Sequence, residues 1–532
     1  KIKDRYLNFP VSASEERKTM TIEVDGEKLR EFFIRLSDSD PDYWVFYDMS
    51  NINSKNLTLK FPEKRSGFKK IYQSEQFAGE DSLYKETLRP QFHFTSRRGW
   101  NNDPNGLAYY NGEYHLYYQH NPYEILWGNM HWGHAVSKDL VHWEELGIAL
   151  YPDDFGDMWS GCAVVDHNNT SGFQTGEDPP LVAIYSAWKK LDDYDSHQTQ
   201  HLAYSNDNGR TLTKYDGNPV LDSKAQWGQN TRDPAVFWHE PINKWVMTLY
   251  ERNGNSIYHS DDLKDWKHIS HLEGFYECPE LFELPIDGDV NNTKWVTYGA
   301  SGIYVLGDFD GYKFMPDTRK LKYTDGALWA AQTYDNIPKS DGRRIQFAWG
   351  MHIDHGGKMP FGQLMLLPTE LTLKSTPNGT RMYSTPIDEL DKLHKKTHSW
   401  SNIEIHKPKK TEAVINEELK RIEGDLFRIK AKVEFIQGYR FLVTYNGNSI
   451  ADFGLSYNEI NGAFYENYDS ESRTVELDIF VDRTSVEVFV DGGAFSTAHP
   501  LEEAKNSSGL EIKGRYVYNI KSLEVIELNS IW

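Results

Sequence analysis

Short runs that alternate between apolar and polar residues, bounded by Gly, Asn and Asp, dominate this chain, and long 3.6-residue periodicity is scarce. Thr19-Met20-Thr21-Ile22-Glu23-Val24 alternates and runs into Asp25-Gly26, the pattern of a strand entering a tight hairpin turn. The runs at 32–36, 43–47 and 57–61 read as further strands. Residues 1–86 are therefore predicted to form an N-terminal β-sandwich-like domain whose polar end, from about 66, serves as a linker. At the other end, 475–482 and 485–493 alternate strongly on either side of Arg483-Thr484. They predict a C-terminal β-sandwich over 401–532, joined by a Lys-rich linker at 386–400.

The stretch 87–385 carries a repeat. Ser137-Lys138-Asp139-Leu140-Val141-His142-Trp143 returns as Ser260-Asp261-Asp262-Leu263-Lys264-Asp265-Trp266, with looser copies at 205–209 and 307–311. Each copy lies between two apolar strands, at spacings of roughly 50–70 residues, the scale of one four-stranded propeller blade. A stretch of this length holds about five blades. The expected fold is thus all-β: a five-bladed β-propeller between two sandwiches.

Composition narrows the partners. The 58 basic and 79 acidic side chains leave a net charge of −21, unsuited to nucleic-acid phosphates or anionic membrane. No apolar run reaches about eighteen residues, so no membrane-spanning helix is predicted. Two cysteines, Cys162 and Cys278, cannot form a disulfide scaffold. Aromatic residues make up 14% of the chain, which suits a large β core and also stacking on the apolar faces of sugars. His131 and His134 have metal-like spacing, but on a strand they face opposite sides, so neither a metal site nor a cofactor is expected.

Three acidic motifs in the middle region stand just ahead of prolines at the entrances of strands: Asn102-Asp103-Pro104, Arg232-Asp233-Pro234 and Glu277-Cys278-Pro279. Proline pushes the residue before it towards an extended conformation, so each acid is expected to be held rigidly. The first strand of each propeller blade lines the central channel. Three such entrances would aim three carboxylates at one axial pocket, a constellation suited to glycosidic bond hydrolysis or to binding a hard cation.

The ordered motifs resemble glycoside hydrolase family 32, the invertases, levanases and inulinases. Beside the acidic boxes they include His93-Phe94-Thr95, Tyr118-Gln119-His120-Asn121-Pro122, Trp132-Gly133-His134-Ala135, Ser160-Gly161 and Val486-Glu487-Val488-Phe489. The resemblance implies a five-bladed propeller followed by a β-sandwich. It also implies roles. Asp103 would be the nucleophile on a β-linked fructofuranose and Glu277 the general acid, then base; Asp233 would stabilise the transition state. Asn102, Gln119, Trp127, Ser160 and Arg232 match fructose-binding positions, with Trp159 and Trp329 keeping aromatic walls. Retention follows for such a pair, with carboxyls roughly 5–5.5 Å apart, Asp103 ionised and Glu277 protonated before attack. Cys278, beside the acid, is expected to be a packed thiol.

The chain departs from the family at 349–357, where further tryptophans and an arginine are usual, and it adds the N-terminal sandwich. That domain resembles an extra domain on some bacterial gut fructanases and turns the expectation from sucrose to polymeric levan or inulin, cut from the non-reducing end. Invertase, endo-levanase and a catalytically silent fructan-binding propeller are the alternatives. A polymeric substrate places the protein outside the cytoplasm: secreted, periplasmic or at the cell surface.

Overall fold

The computed structural model of the chain describes all residues except 54–55, 193–194, 229, 358, 407, 467 and 470. Among the described residues, α-helix is confined to Pro408–Leu419 and the single turn Lys224–Trp227.

The N-terminal unit packs two three-stranded sheets face to face. One orders Tyr43–Asp48, Tyr6–Val11 and Tyr72–Ser74; the other orders Glu27–Ile34, Lys18–Val24 and Leu57–Lys60. Inward-facing Phe9, Met20, Phe32 and Val45 form its core. Asp25 (φ 52°) and Gly26 (φ 90°) make the expected tight turn. The polar segment after 66 is not wholly linker, because Tyr72–Ser74 pairs antiparallel with Tyr6–Asn8 at the sheet edge. An edge strand is held by backbone hydrogen bonds and keeps one side in water, so it needs few apolar residues and escapes a hydrophobic pattern.

Five four-stranded antiparallel blades follow. Their innermost strands are Gly99–Tyr110, Asp157–Val165, Thr231–His239, Glu280–Ile286 and Leu328–Thr333. The ring closes where Phe361-Gly362 pairs with Gly99-Trp100. All four copies of the repeat join the third and fourth strands of blades one to four. In each, a carboxylate takes up N–H groups that the turn leaves free. Asp139 accepts from Val141 and His142, and Asp262 from Lys264 and Asp265. Asp207 accepts from Thr211, and Asp310 from Tyr312 and Lys313. Leu140 and Leu263 adopt φ of 63° and 67°, a strained conformation offset by full burial of both side chains.

The C-terminal unit packs a six-stranded sheet, extended at one edge by Thr324–Gly326 of the propeller, on a five-stranded one over Phe427, Val433, Phe441, Phe453 and Val488. The Lys-rich segment is again more than linker. Asp388–Leu393 is a 3₁₀ helix, and His394–Ile405 is an edge strand paired with Tyr518–Leu528. His93, at the start of the propeller, is buried between Asp482 and Glu487 of this unit, each ring nitrogen 2.7 Å from a carboxylate oxygen. The two acids outweigh burial and raise His93 to about 9, while the same contact lowers Asp482.

Candidate active site

The inner strands are irregular at matching heights. Register shifts fall between Asn101 and Pro104, between Met158 and Gly161, between Arg232 and Ala235, and between Trp329 and Gln332. Such bulges re-aim side chains that a regular strand would send to alternating faces. Here they turn Asp103, Trp159-Ser160, Asp233 and Trp329 towards the axis, whereas Glu277 lies just ahead of its strand, Glu280–Ile286. Asp233 departs from the extended backbone expected before proline: its φ is 61°. Proline disfavours the right-handed helical region for the residue before it, and Asp tolerates the left-handed one, which the bulge demands. Glu277 and Cys278 are also left-handed, at φ 50° and 42°. Gly161 is obligatory, because a Cβ there would lie 2.0 Å from the Ile184 carbonyl oxygen.

All ten residues singled out in the sequence line one cavity of about 190 Å³: Asn102, Asp103, Gln119, Trp127, Trp159, Ser160, Arg232, Asp233, Glu277 and Trp329. Trp349 completes it. Asp103 accepts from Ser160 Oγ at 2.6 Å and from Asn102 Nδ2 at 3.0 Å. Asn102 is itself fixed by the Trp100 indole N–H at 2.9 Å. Arg232 Nη2 donates to Glu277 Oε1 at 2.6 Å, and its Nε lies 3.7 Å from Asp233 Oδ2. The guanidinium also faces Tyr250, 4.9 Å from the ring centre, and Tyr276 at 5.8 Å. Gln119 is held by the Met158 carbonyl, and Trp127 meets Trp159 edge-on.

Burial raises both aspartates. Asp103 is pushed up to about 6, chiefly by desolvation and then by the neighbouring Glu277 charge, with Ser160, Asn102 and Arg232 opposing. Asp233 is pushed up to about 7 by desolvation and by the charges of Glu277 and Asp103, with Arg232 opposing. The nucleophile candidate is therefore not the strongly acidic group that two good donors alone would give, because the dry pocket outweighs them.

Cys278 is buried against Ala300 and Ala330. Its Sγ lies 3.6 Å from Asp233 Oδ2 and 3.9 Å from Asp103 Oδ2, so it underlies the two aspartates, and its N–H also donates to Asp233. Burial pushes its thiol far up, which keeps it unreactive. Of the two spaced histidines, His131 bonds the Asn129 carbonyl while His134 meets His115, on opposite faces of their strand. Sequence reasoning missed Tyr250, Tyr276 and the role of Trp349. Tyr276 adjoins Glu277 and is 53% exposed, but Tyr250 reaches the site only through its strand register opposite Arg232.

Residues 93–386 match the glycosyl hydrolases family 32 N-terminal domain, and residues 389–512 match the family 32 C-terminal domain. The chain belongs to glycosyl hydrolase family 32. Among its family relatives, a levanase of Bacillus subtilis (strain 168) is 39% identical over 86% of this chain and 72% of that protein. An extracellular exo-inulinase of Aspergillus niger is 34% identical over 78% of this chain and 89% of that one. The crystal structure of Aspergillus awamori exo-inulinase superposes with a TM-score of 0.71 at 27% identity, over 84% of this chain and all of that one. A Schwanniomyces occidentalis fructofuranosidase complexed with fructosylnystose gives 0.71 at 28% identity, over 84% of this chain and 99% of that one. Residues 1–92 lie outside both family 32 matches.

Proposed function

We propose that Asp103, Glu277 and Asp233 carry the chemistry of this glycoside hydrolase, which releases fructose from the non-reducing end of β-fructans, levan or inulin. The observation that supports this most directly is the convergence of three carboxylates from three blades on one cavity, beside a single guanidinium.

In this reading Asp103 attacks the anomeric carbon of the terminal fructose. Ser160 and Asn102 hold the carboxylate in one orientation, which is a large part of what a positioned nucleophile contributes. Glu277 gives its proton to the departing glycosidic oxygen, and the C–O bond breaks as the bond to Asp103 forms. A water, deprotonated by Glu277, then attacks the fructosyl-enzyme and restores both carboxyls, with net retention. Asp233 accepts hydrogen bonds from fructose hydroxyls and steadies positive charge at the ring without bonding to carbon. Trp127, Trp159, Trp329 and Trp349 give the sugar apolar walls. A hollow closed by indoles on several sides accommodates a chain end better than the middle of a polymer, which favours exo action.

Extracellular relatives and a polymeric substrate favour a secreted protein, in the periplasm or on the cell surface. Incubation with levan, inulin and sucrose, with products resolved by chromatography, tests the reading. Fructose as the sole product of a polymer is expected; a ladder of oligomers would exclude exo action. Proton NMR of the first product anomer reads retention directly.

A further inference from the structure

Trp127 stands at the mouth of the pocket, 47% exposed, on the segment 122–130 that links the second and third strands of the first blade. This segment has little regular structure, yet it is gripped along its length by the N-terminal sandwich. The Phe32 ring stacks on Tyr123 with centres 3.6 Å apart and planes 15° from parallel. The backbone of Phe33 and the side-chain amide of Asn129 exchange two hydrogen bonds, of 2.8 and 2.9 Å, as neighbouring strands do. The Ile125 N–H donates to the Tyr43 hydroxyl at 3.3 Å. Glu124 is fully buried beneath the guanidiniums of Arg17 and Arg35, and Arg17 Nη2 also donates to the Trp127 carbonyl at 3.2 Å.

We propose that the N-terminal sandwich sets affinity for the fructan chain by fixing Trp127, with Arg17 and Asn129 as positioning residues. The inference rests on the function assigned above and names what the extra domain adds to it. Three features carry it. Glu124 has no exposed surface, so its charge must be met inside the protein, and the two arginines that meet it both come from the sandwich. Arg17 bonds Glu124 and the Trp127 backbone with the same nitrogen, so the loop's buried anchor and its sugar-facing residue share one donor. Asn129 takes φ 43° and also ties the loop to Asn121, which fixes the far side of Trp127. The Trp127 ring, resting edge-on against Trp159, can then present a fixed wall to the sugar units next to the scissile bond. A wall fixed before binding acts on substrate affinity more than on bond breaking.

The test uses the full chain and two independent variants. Arg17→Ala removes the shared donor. Asn129→Gly cuts the bridge to Phe33 without stranding a buried charge, and glycine accepts the left-handed backbone. In both, KM for levan and inulin is expected to rise about five- to tenfold while kcat stays within about twofold. Amide hydrogen exchange over 122–130 is expected to quicken while the rest of the propeller keeps its protection. Combined with Trp127→Ala, each variant should add little further rise in KM, because the cycle removes one wall twice. Unchanged KM in both variants despite faster exchange, or rises that add fully to that of Trp127→Ala, would overturn the proposal. Unaltered exchange in both would overturn it as well. A wild-type chain that releases no fructose would instead sink the functional assignment, and the exchange measurement would still decide whether the sandwich holds the loop.

Discussion

Arg232 and Glu277 form a direct pair in the pocket, the guanidinium donating to one carboxylate oxygen at 2.6 Å. The same arginine stands 3.7 Å from Asp233 and over the Tyr250 ring, so one rigid fork organises two of the three acids. Lysine cannot reproduce that fork. Arg232→Lys is expected to lower kcat/KM about ten- to a hundredfold, the equivalent of one charge-assisted hydrogen bond. Steady-state kinetics on inulin checks this; a variant within twofold of wild type would show that the pair is only structural.

In the proposed mechanism, Asp103→Asn and Glu277→Gln remove different steps. Asp103→Asn is expected to lose several orders of magnitude on every substrate, since no covalent intermediate can form. Glu277→Gln should lose about 10²–10⁴ on fructans, the usual worth of general acid–base catalysis. It should lose less in the first step on an aryl fructoside, whose leaving group needs no proton. A pre-steady-state burst of phenol followed by slow turnover is the signature to seek.

The pH profile follows from Asp103 at about 6. If Asp103 is the nucleophile proposed above, attack needs its ionised form, so kcat/KM is expected to fall on the acid side through that pH. The stability sign runs the opposite way from that of an ordinary salt-bridged acid. The folded value lies above the unfolded one of 3.8, so the folded protein binds more protons between them. Stability therefore falls as pH rises from about 4 to 6, and the full cost, on the order of 1–3 kcal/mol, is present at neutral pH. Asp103→Asn should raise Tm at pH 7 and change it little at pH 4, as differential scanning calorimetry can show. An equal shift at both pH values would rule out this account.

His93 predicts a different dependence. Its folded value of about 9 lies above the ordinary 6.5, so its contribution is complete below about 6.5 and is lost as pH rises through 9. His93→Gln leaves Asp482 and Glu487 buried without their cation. It is expected to cost about 3–5 kcal/mol below pH 6.5 and clearly less above pH 9, measured by denaturant unfolding.

Cys278 is enclosed beneath the aspartates, and both free thiols are buried. Native enzyme at pH 8 should therefore keep its activity, and gain no mass, during an hour with iodoacetamide. Rapid alkylation with inactivation would mean that the floor of the pocket opens in solution.

Several features of this protein were already legible along the chain. The alternation of short strands specified an all-β protein, and the spacing of the Ser-x-Asp-Leu turns specified blades, because such a turn needs its capping carboxylate at a set place between two strands. The acidic boxes were legible too, since chemistry demands particular residue types and bulged backbone restricts what surrounds them. Other features depended on contacts between distant residues. Tyr72–Ser74 and the first part of His394–Ile405, up to residue 400, read as linkers because edge strands are held by backbone bonds, which leave little mark on side-chain pattern. The left-handed turn of Asp233 came from a register shift with the neighbouring strand, and the elevation of Asp103 to about 6 came from burial among groups on other blades. The Arg17 hydrogen bond to the Trp127 carbonyl could not be read from either neighbourhood, because it exists only once the sandwich has docked on the propeller. Local pattern encodes which strands and turns can form, while dielectric, proximity and the aim of a side chain are properties of the packed whole.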